Sequence, residues 1–221
     1  MKEQGILALK GPRHPRFTNF LAGPNAVLVE TLQRGLEASA WYFLAGPPGS
    51  GRSHLLNAVL EHKHRSPQAV TFIALELERQ RELLGHAAGD WIILDDVDAL
   101  AGRRDDEMAL FNALNRWRLD KTGVLMSGAG RDHFELPDLR SRLGQATRLT
   151  LKPLDDAQLR RLIEQLAGEY EVVLGRGAAD YLLSRTARNA GAIARLIEIL
   201  AYRALSERRT LSVPLIRDQI R

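Results

Sequence analysis

The sequence predicts an α/β fold, a parallel sheet covered by helices on both faces, followed by a small all-α domain. Three observations lead there. Gly46-Pro-Pro-Gly-Ser-Gly-Arg-Ser53 fits the phosphate-cradling pattern G-x-x-x-x-G-[KR]-[ST] and follows a strand-like apolar run, Ala40-Trp-Tyr-Phe-Leu44. Asp90-Trp-Ile-Ile-Leu-Asp95-Asp96 is a short apolar run that ends in two carboxylates, as expected of a strand buried on both faces. Strand-like and helix-like segments alternate to about residue 151, and the chain is helical thereafter.

Each element follows from its own pattern. The strand candidates are residues 40–45, 69–75, 91–95, 123–127 and 146–151, separated by helical patterns around 25–38, 53–64, 76–85 and 105–119. Beyond Pro153, the segments Asp156–Leu166, Ala178–Arg185 and Ile193–Leu205 each carry an apolar stripe at three-to-four spacing, and 211–221 reads as a last helix. Pro153 marks the domain boundary, with Asp155 as a helix cap. The expected organisation is a flexible tail over 1–15, an α/β domain over 16–152 and a helical domain over 153–221.

Composition bounds the function. With 221 residues and 45% hydrophobic content the chain can bury a substantial core. It has no cysteine, which removes disulfides and thiolate metal sites and gives secretion no support. No apolar run approaches membrane-spanning length and the N-terminus lacks a signal-peptide pattern, so a cytoplasmic protein with no membrane partner is expected. The net charge of +4 permits nucleic-acid contact, but the arginines are spread along the chain and read as a solvated basic surface.

The chemistry concentrates in the loop and the acidic strand end. The glycines let the backbone curl around an anion with its N–H groups inward, and the following helix, from Ser53, adds its dipole. Candidate nucleotide ligands are Gly46, Pro48, Gly49, Ser50, Gly51, Arg52, Ser53 and His54. About forty residues on, Asp95 can hold Mg²⁺ together with the Ser53 hydroxyl, and Asp96 can orient a water. Taken alone, an Asp-Asp pair is as readily a helix cap or a solvated turn. Arg52 stands where lysine is expected; its planar fork can bind phosphates but is bulkier.

A phosphate loop, an Asp-Asp strand and a helical lid in this order resemble the AAA+ ATPases. Local motifs bring the likeness to the bacterial initiator DnaA and its shorter regulatory relatives, from about residue 16 to the end. Phe17-Thr-Asn-Phe-Leu-Ala-Gly-Pro-Asn25 resembles the lead-in segment that helps form the adenine pocket in that family, which implicates Phe17 and Phe20. Leu136-Pro-Asp-Leu-Arg-Ser-Arg-Leu143 resembles the box that carries the arginine finger, which falls on Arg142. Without the family, Arg142 is an arginine in a polar loop before a strand, and a surface residue. The initiators' helix-turn-helix domain has no counterpart after 211–221, and Glu76 to Gly89 has room for about one short helix where they carry an extra pair. Origin recognition by sequence and origin melting are therefore not expected.

The resemblance to the shorter regulators extends to Arg52 and to Arg103-Arg-Asp-Asp-Glu-Met-Ala-Leu-Phe111. It implies a protein that returns ATP-bound DnaA to its inactive ADP form while attached to the replicative sliding clamp, inserting Arg142 in trans. Gln4-Gly-Ile-Leu-Ala-Leu9 resembles the clamp-binding hexapeptide at Gln4, Leu7 and Leu9; read alone, it is an N-terminal tail with some apolar character. The implied partners are DnaA, the sliding clamp and DNA reached through the clamp; homo-oligomerisation is left open. The implied cofactors are ADP or ATP with Mg²⁺. The family's polar sensor falls on Ala129 and its second-sensor arginine on Gly191, where Arg188 or Arg195, three back and four on along one helical face, could substitute; Arg195 is carried as a candidate nucleotide ligand. These departures imply weak intrinsic hydrolysis and a bound ADP that orders sheet against lid. Two other functions are open: an autonomous ATPase of the helicase-loader type and a non-enzymatic DnaA-binding adaptor.

Other chemistry finds little support. The six histidines, His62, His64, His86 and His133 among them, show no spacing with carboxylates that suggests a metal cage. Trp41, Trp91 and Trp117 sit in or beside apolar segments and read as core.

Overall fold

The computed structural model describes residues 14–130 and 132–220. Pro15–Pro153 forms one compact unit, and the chain from Leu154 belongs to a second.

The first unit is built on five parallel strands, β1 (Trp41–Ala45), β2 (Val70–Ala74), β3 (Trp91–Asp95), β4 (Gly123–Gly128) and β5 (Thr147–Thr150), in the spatial order β2-β3-β4-β1-β5. The three central strands are apolar runs because side chains leave a strand alternately and both faces are covered. Trp41, Phe43, Ile92, Leu94, Val124 and Met126 enter one core layer, and Tyr42, Leu44, Trp91, Ile93 and Leu125 the other. The first layer is closed by α4 (Arg104–Leu119) and α5 (Pro137–Leu143), through Leu110, Leu114, Trp117 and Leu139. The second is closed by α1 (Ala26–Arg34) and α2 (Arg52–Lys63), through Val29, Leu32, Leu55, Leu56 and Val59. All three tryptophans are core, and those on β1 and α4 satisfy their indole N–H groups on the carbonyls of Thr122 and Ala87.

Several boundaries differ from the sequence expectation, each for a local reason. α1 ends at Arg34 because Gly35 turns to φ +101°, which ends the 25–38 pattern early. The 76–85 pattern divides into a single turn, α3 (Glu78–Arg81), and a 3-10 turn, Glu82–Gly85, so only short helical structure precedes β3. Arg142 lies in α5 and not in a polar loop, which corrects the sequence reading. The helix starts on Pro137 with Asp138 in its first turn. The chain that leads into it is held from another element: the Glu107 carboxylate of α4 accepts the N–H groups of Glu135 (3.0 Å) and Leu136 (2.7 Å), the two residues before the helix, and that of Gly102 (2.9 Å), just before α4.

The buried Asn25 closes the unit on itself. Its side chain donates to the Lys152 carbonyl (2.9 Å) and accepts the Lys152 N–H (2.7 Å).

The second unit is helical: α6 (Asp156–Glu169), α7 (Ala178–Arg185), α8 (Ala190–Ser206) and α9 (Val213–Ile220). Asp155 caps α6, its side chain accepting the Gln158 N–H at 2.8 Å, as the sequence predicts. Leu162, Ile163, Leu182, Ile197, Leu200 and Leu215 fill its core. Among the described residues no helix is long and apolar enough to cross a membrane.

Candidate functional site

The loop between β1 and α2 turns on two glycines with left-handed backbone, Gly49 (φ +75°) and Gly51 (φ +102°). Side chains resist that conformation. Gly51 is also packed by Phe20: a β-carbon there would lie 2.8 Å from the Phe20 ring. The Gly46 N–H donates to the Gly128 carbonyl, which ties the loop to β4. Ser50, two residues on from Pro48, is buried and its hydroxyl has no hydrogen-bond partner among the described residues. Buried polar atoms are rarely left unpaired, so an oxygen-rich ligand fits here. The first turn of α2 holds no acidic residue to offset its dipole, and Ser53 is exposed on it.

Because β4 lies between β1 and β3, its end stands between the loop and the acidic pair. Ser127, fully buried at that end, donates to the Asp95 carboxylate (2.6 Å) and accepts the Asp96 N–H (2.9 Å). Asp96 is left-handed at φ +59°. One hydroxyl thus holds the Asp95 carboxylate and the Asp96 backbone, two residues before Ala129, where the family resemblance places a polar sensor that this chain lacks.

Arg52 is mostly buried, with its side chain 11% exposed, and its guanidinium turns inward: it donates to the Gly46 carbonyl (3.1 Å), to Asp96 (3.2 Å) and to Asp98 (3.5 Å). Asp98 is a site residue that sequence reasoning missed. It accepts the Ala129 N–H as well, its second oxygen is buried without a partner among the described residues, and a β-carbon at Gly128 would sit 2.9 Å from that oxygen. The signal in the sequence was a third acid two residues after the Asp-Asp pair, with Val97 between them. Burial pushes the Asp96 carboxyl above its ordinary value; Arg52 pulls it down, while Asp98, Asp95 and Glu76 add to the rise.

The remaining predicted residues fall in different places. The His54 ring packs against Phe20 at a tilt of 55°, with ring centroids 5.3 Å apart, and its Nε2 is 2.9 Å from the Arg16 carbonyl oxygen. Phe17 is not at the loop: it meets His62, roughly three turns along α2, and lines a recess of about 320 Å³ with Thr18, Gln33 and Ala58. The structure therefore brings Phe20 to the loop and leaves Phe17 apart. Arg142 donates to Asn115 (2.5 Å) and Gln145 (3.3 Å). Arg195 is exposed on α8. Arg188 does not share its helical face, which corrects the sequence reading. It precedes α8, whose cap is Asn189, and donates to Asp156 at 3.0 Å. Gln4, Leu7 and Leu9 lie outside the described residues.

Residues 42–154, just over half of the chain, match the ATPase family associated with various cellular activities (AAA). The fold resembles domain III of the Thermotoga maritima replication initiation protein DnaA, with a TM-score of 0.74 at 17% identity over 91% of this chain and 93% of that one. AMPPCP-bound DnaA from Aquifex aeolicus gives 0.67 at 20% identity, over 87% and 66%. The Thermotoga maritima RuvB Holliday junction branch migration motor gives 0.59 at 18% identity, over 86% and 63%. The chain spans about two thirds of the length of the last two, and at these identities the likeness is one of fold.

Proposed function

The chain belongs to the AAA family of ATPases, and from that premise we propose that it is a negative regulator of replication initiation of the Hda type. In this reading it binds the sliding clamp through Gln4, Leu7 and Leu9 and donates Arg142 in trans to the ATP held by DnaA. One observation carries the proposal. The Arg142 guanidinium is half-buried and oriented by two neutral acceptors, Asn115 and Gln145, and no carboxylate pairs with it among the described residues. A guanidinium held in place with its charge uncompensated suits an anion on another molecule, and such fingers act by neutralising charge on the transferred phosphoryl group.

The chain's own loop has a supporting role. Ser50, Arg52, Ser53 and the loop amides would hold the phosphates of ADP or ATP, Phe20 and His54 would flank the nucleotide, and Ser53 with Asp95 would face Mg²⁺. A bound nucleotide supplies a polyphosphate anion at the start of α2. Arg52 reaches such an anion only by exchanging its bonds to Asp96 and Asp98, which favours holding over turnover.

The test is hydrolysis of ATP preloaded on DnaA, with clamp-loaded DNA and ADP present. Arg142→Ala is expected to lower the stimulated rate by on the order of 10³ or more while binding persists. Replacing Gln4, Leu7 and Leu9 with alanine should remove the dependence on the clamp. An Arg142→Ala chain that still blocks initiation would make the protein a non-enzymatic adaptor. A second reading, an autonomous ATPase, is favoured by the ordered Ser127, Asp95 and Asp96 array. Steady-state turnover by the chain alone would establish it.

A further inference from the structure

The surface around Arg142 holds more charge than a single finger requires. Gln145, just beyond α5, presents one amide oxygen that accepts from two guanidinium groups, Arg142 at 3.3 Å and Arg118 of α4 at 2.6 Å. Their nitrogens therefore lie within about 6 Å of each other, and like charges at such a separation repel. Neither arginine has a carboxylate partner among the described residues. Each is instead fixed from behind. Arg118 lies 4.6 Å from the centroid of a Trp41 ring, and Arg142 donates to Asn115 at 2.5 Å. Gly144 and Ala146, the neighbours of Gln145, line a recess of about 180 Å³ together with Phe43, Leu143 and a third arginine, Arg148.

Two cations converge here on a neutral oxygen and keep their charge, with space beside them. An amide oxygen is a modest acceptor and an anionic oxygen a stronger one, so Gln145 marks a position that an incoming anion takes over. We infer that Arg118 is a second cation of the trans-acting site, so that a partner's nucleoside triphosphate is gripped at its terminal phosphate by guanidinium groups from both α4 and α5. The inference rests on the proposed donation of Arg142 and extends it. The competing account is that Arg118 only covers the Trp41 ring with its planar head, a packing role.

The experiment measures single-turnover hydrolysis of ATP preloaded on DnaA, with the full-length chain at saturating concentration and each variant's melting temperature recorded. Arg118→Ala is expected to lower the stimulated rate about ten-fold, and Arg118→Lys to recover part of it. Gln145→Glu matches the wild-type residue in shape and keeps both arginines, but it supplies them with an internal counter-ion. It should therefore lower stimulation at least as far while leaving the melting temperature unchanged or higher. Both Arg118→Ala and Gln145→Glu must fall for the inference to stand; either one stimulating like the intact chain overturns it. If Arg142→Ala abolishes stimulation while those two do not, the single finger survives without its second cation. If Arg142→Ala has no effect, the reading it extends falls as well.

Discussion

Arg52 reaches back over its own loop to Gly46 and across to Asp96 and Asp98, so one side chain joins the glycine turn to the acidic edge of the sheet. Among the charges around Asp96 it is the one that opposes the rise in that carboxyl's proton affinity. Arg52→Ala should therefore raise the Asp96 pKa further, and carboxyl-detected NMR titration would read this directly; an unchanged or lower value would contradict the described pairing. The sign fixes a pH window. A carboxyl with a raised folded-state pKa adds stability below its unfolded value, and that contribution is lost as pH rises through the folded value. Arg52→Ala thus moves the loss to higher pH. The loop, the acids and Arg52 were legible in the sequence because spacing carries them. Asp98 and Ser127 were not, because their roles depend on which strands are neighbours, and β4 comes between β1 and β3 only in space.

Among the elements, α5 depends most on something outside itself. It is seven residues long, too short to be stable alone, and the two residues that lead into it, Glu135 and Leu136, are held by Glu107 of α4. Glu107 is 1% exposed. Burial opposes its charge, but the backbone N–H groups of Glu135, Leu136 and Gly102, with Arg140 nearby, outweigh that and hold its pKa below the ordinary value. The stabilisation it gives is present above the unfolded value of 4.5 and is lost as pH falls through the folded one. Glu107→Ala should cost about 3 kcal/mol, since buried donors are left unpaired, and Glu107→Gln should flatten the acid side of the stability profile. Urea midpoints between pH 3 and 7, roughly the span over which carboxyls titrate, would check both. This dependence explains why α5 was not legible: the residue that holds its lead-in lies some thirty residues earlier in the chain. The longer helices carry their apolar stripes within themselves and were legible, whereas the start of α8 was misjudged because a capping residue, Asn189, and not the stripe, decides it.

For the whole molecule, a ligand that binds only the folded chain raises its stability by mass action, about 2.7 kcal/mol at a hundred times its dissociation constant. ADP should therefore raise the melting temperature in proportion to the logarithm of its concentration. The absence of any shift with ADP or ATP would leave the Gly46–Ser53 loop without its proposed ligand. The five strands were legible one by one, but not their order, because apolar runs state that a strand is buried and not beside what. That order, together with the Asn25 staple, has a consequence for how the protein is made. As the chain leaves the ribosome, β1 emerges first, yet its two neighbours, β4 and β5, are among the last strands to appear. β2 and β3 can pair early, but β1 has no edge to join until residue 123 has been synthesised. Asn25 then waits for Lys152, 127 residues later, to complete its two hydrogen bonds. The apolar face of β1, with Trp41 and Phe43, is thus exposed through most of synthesis, and the α/β unit closes in one late step when its final strand arrives.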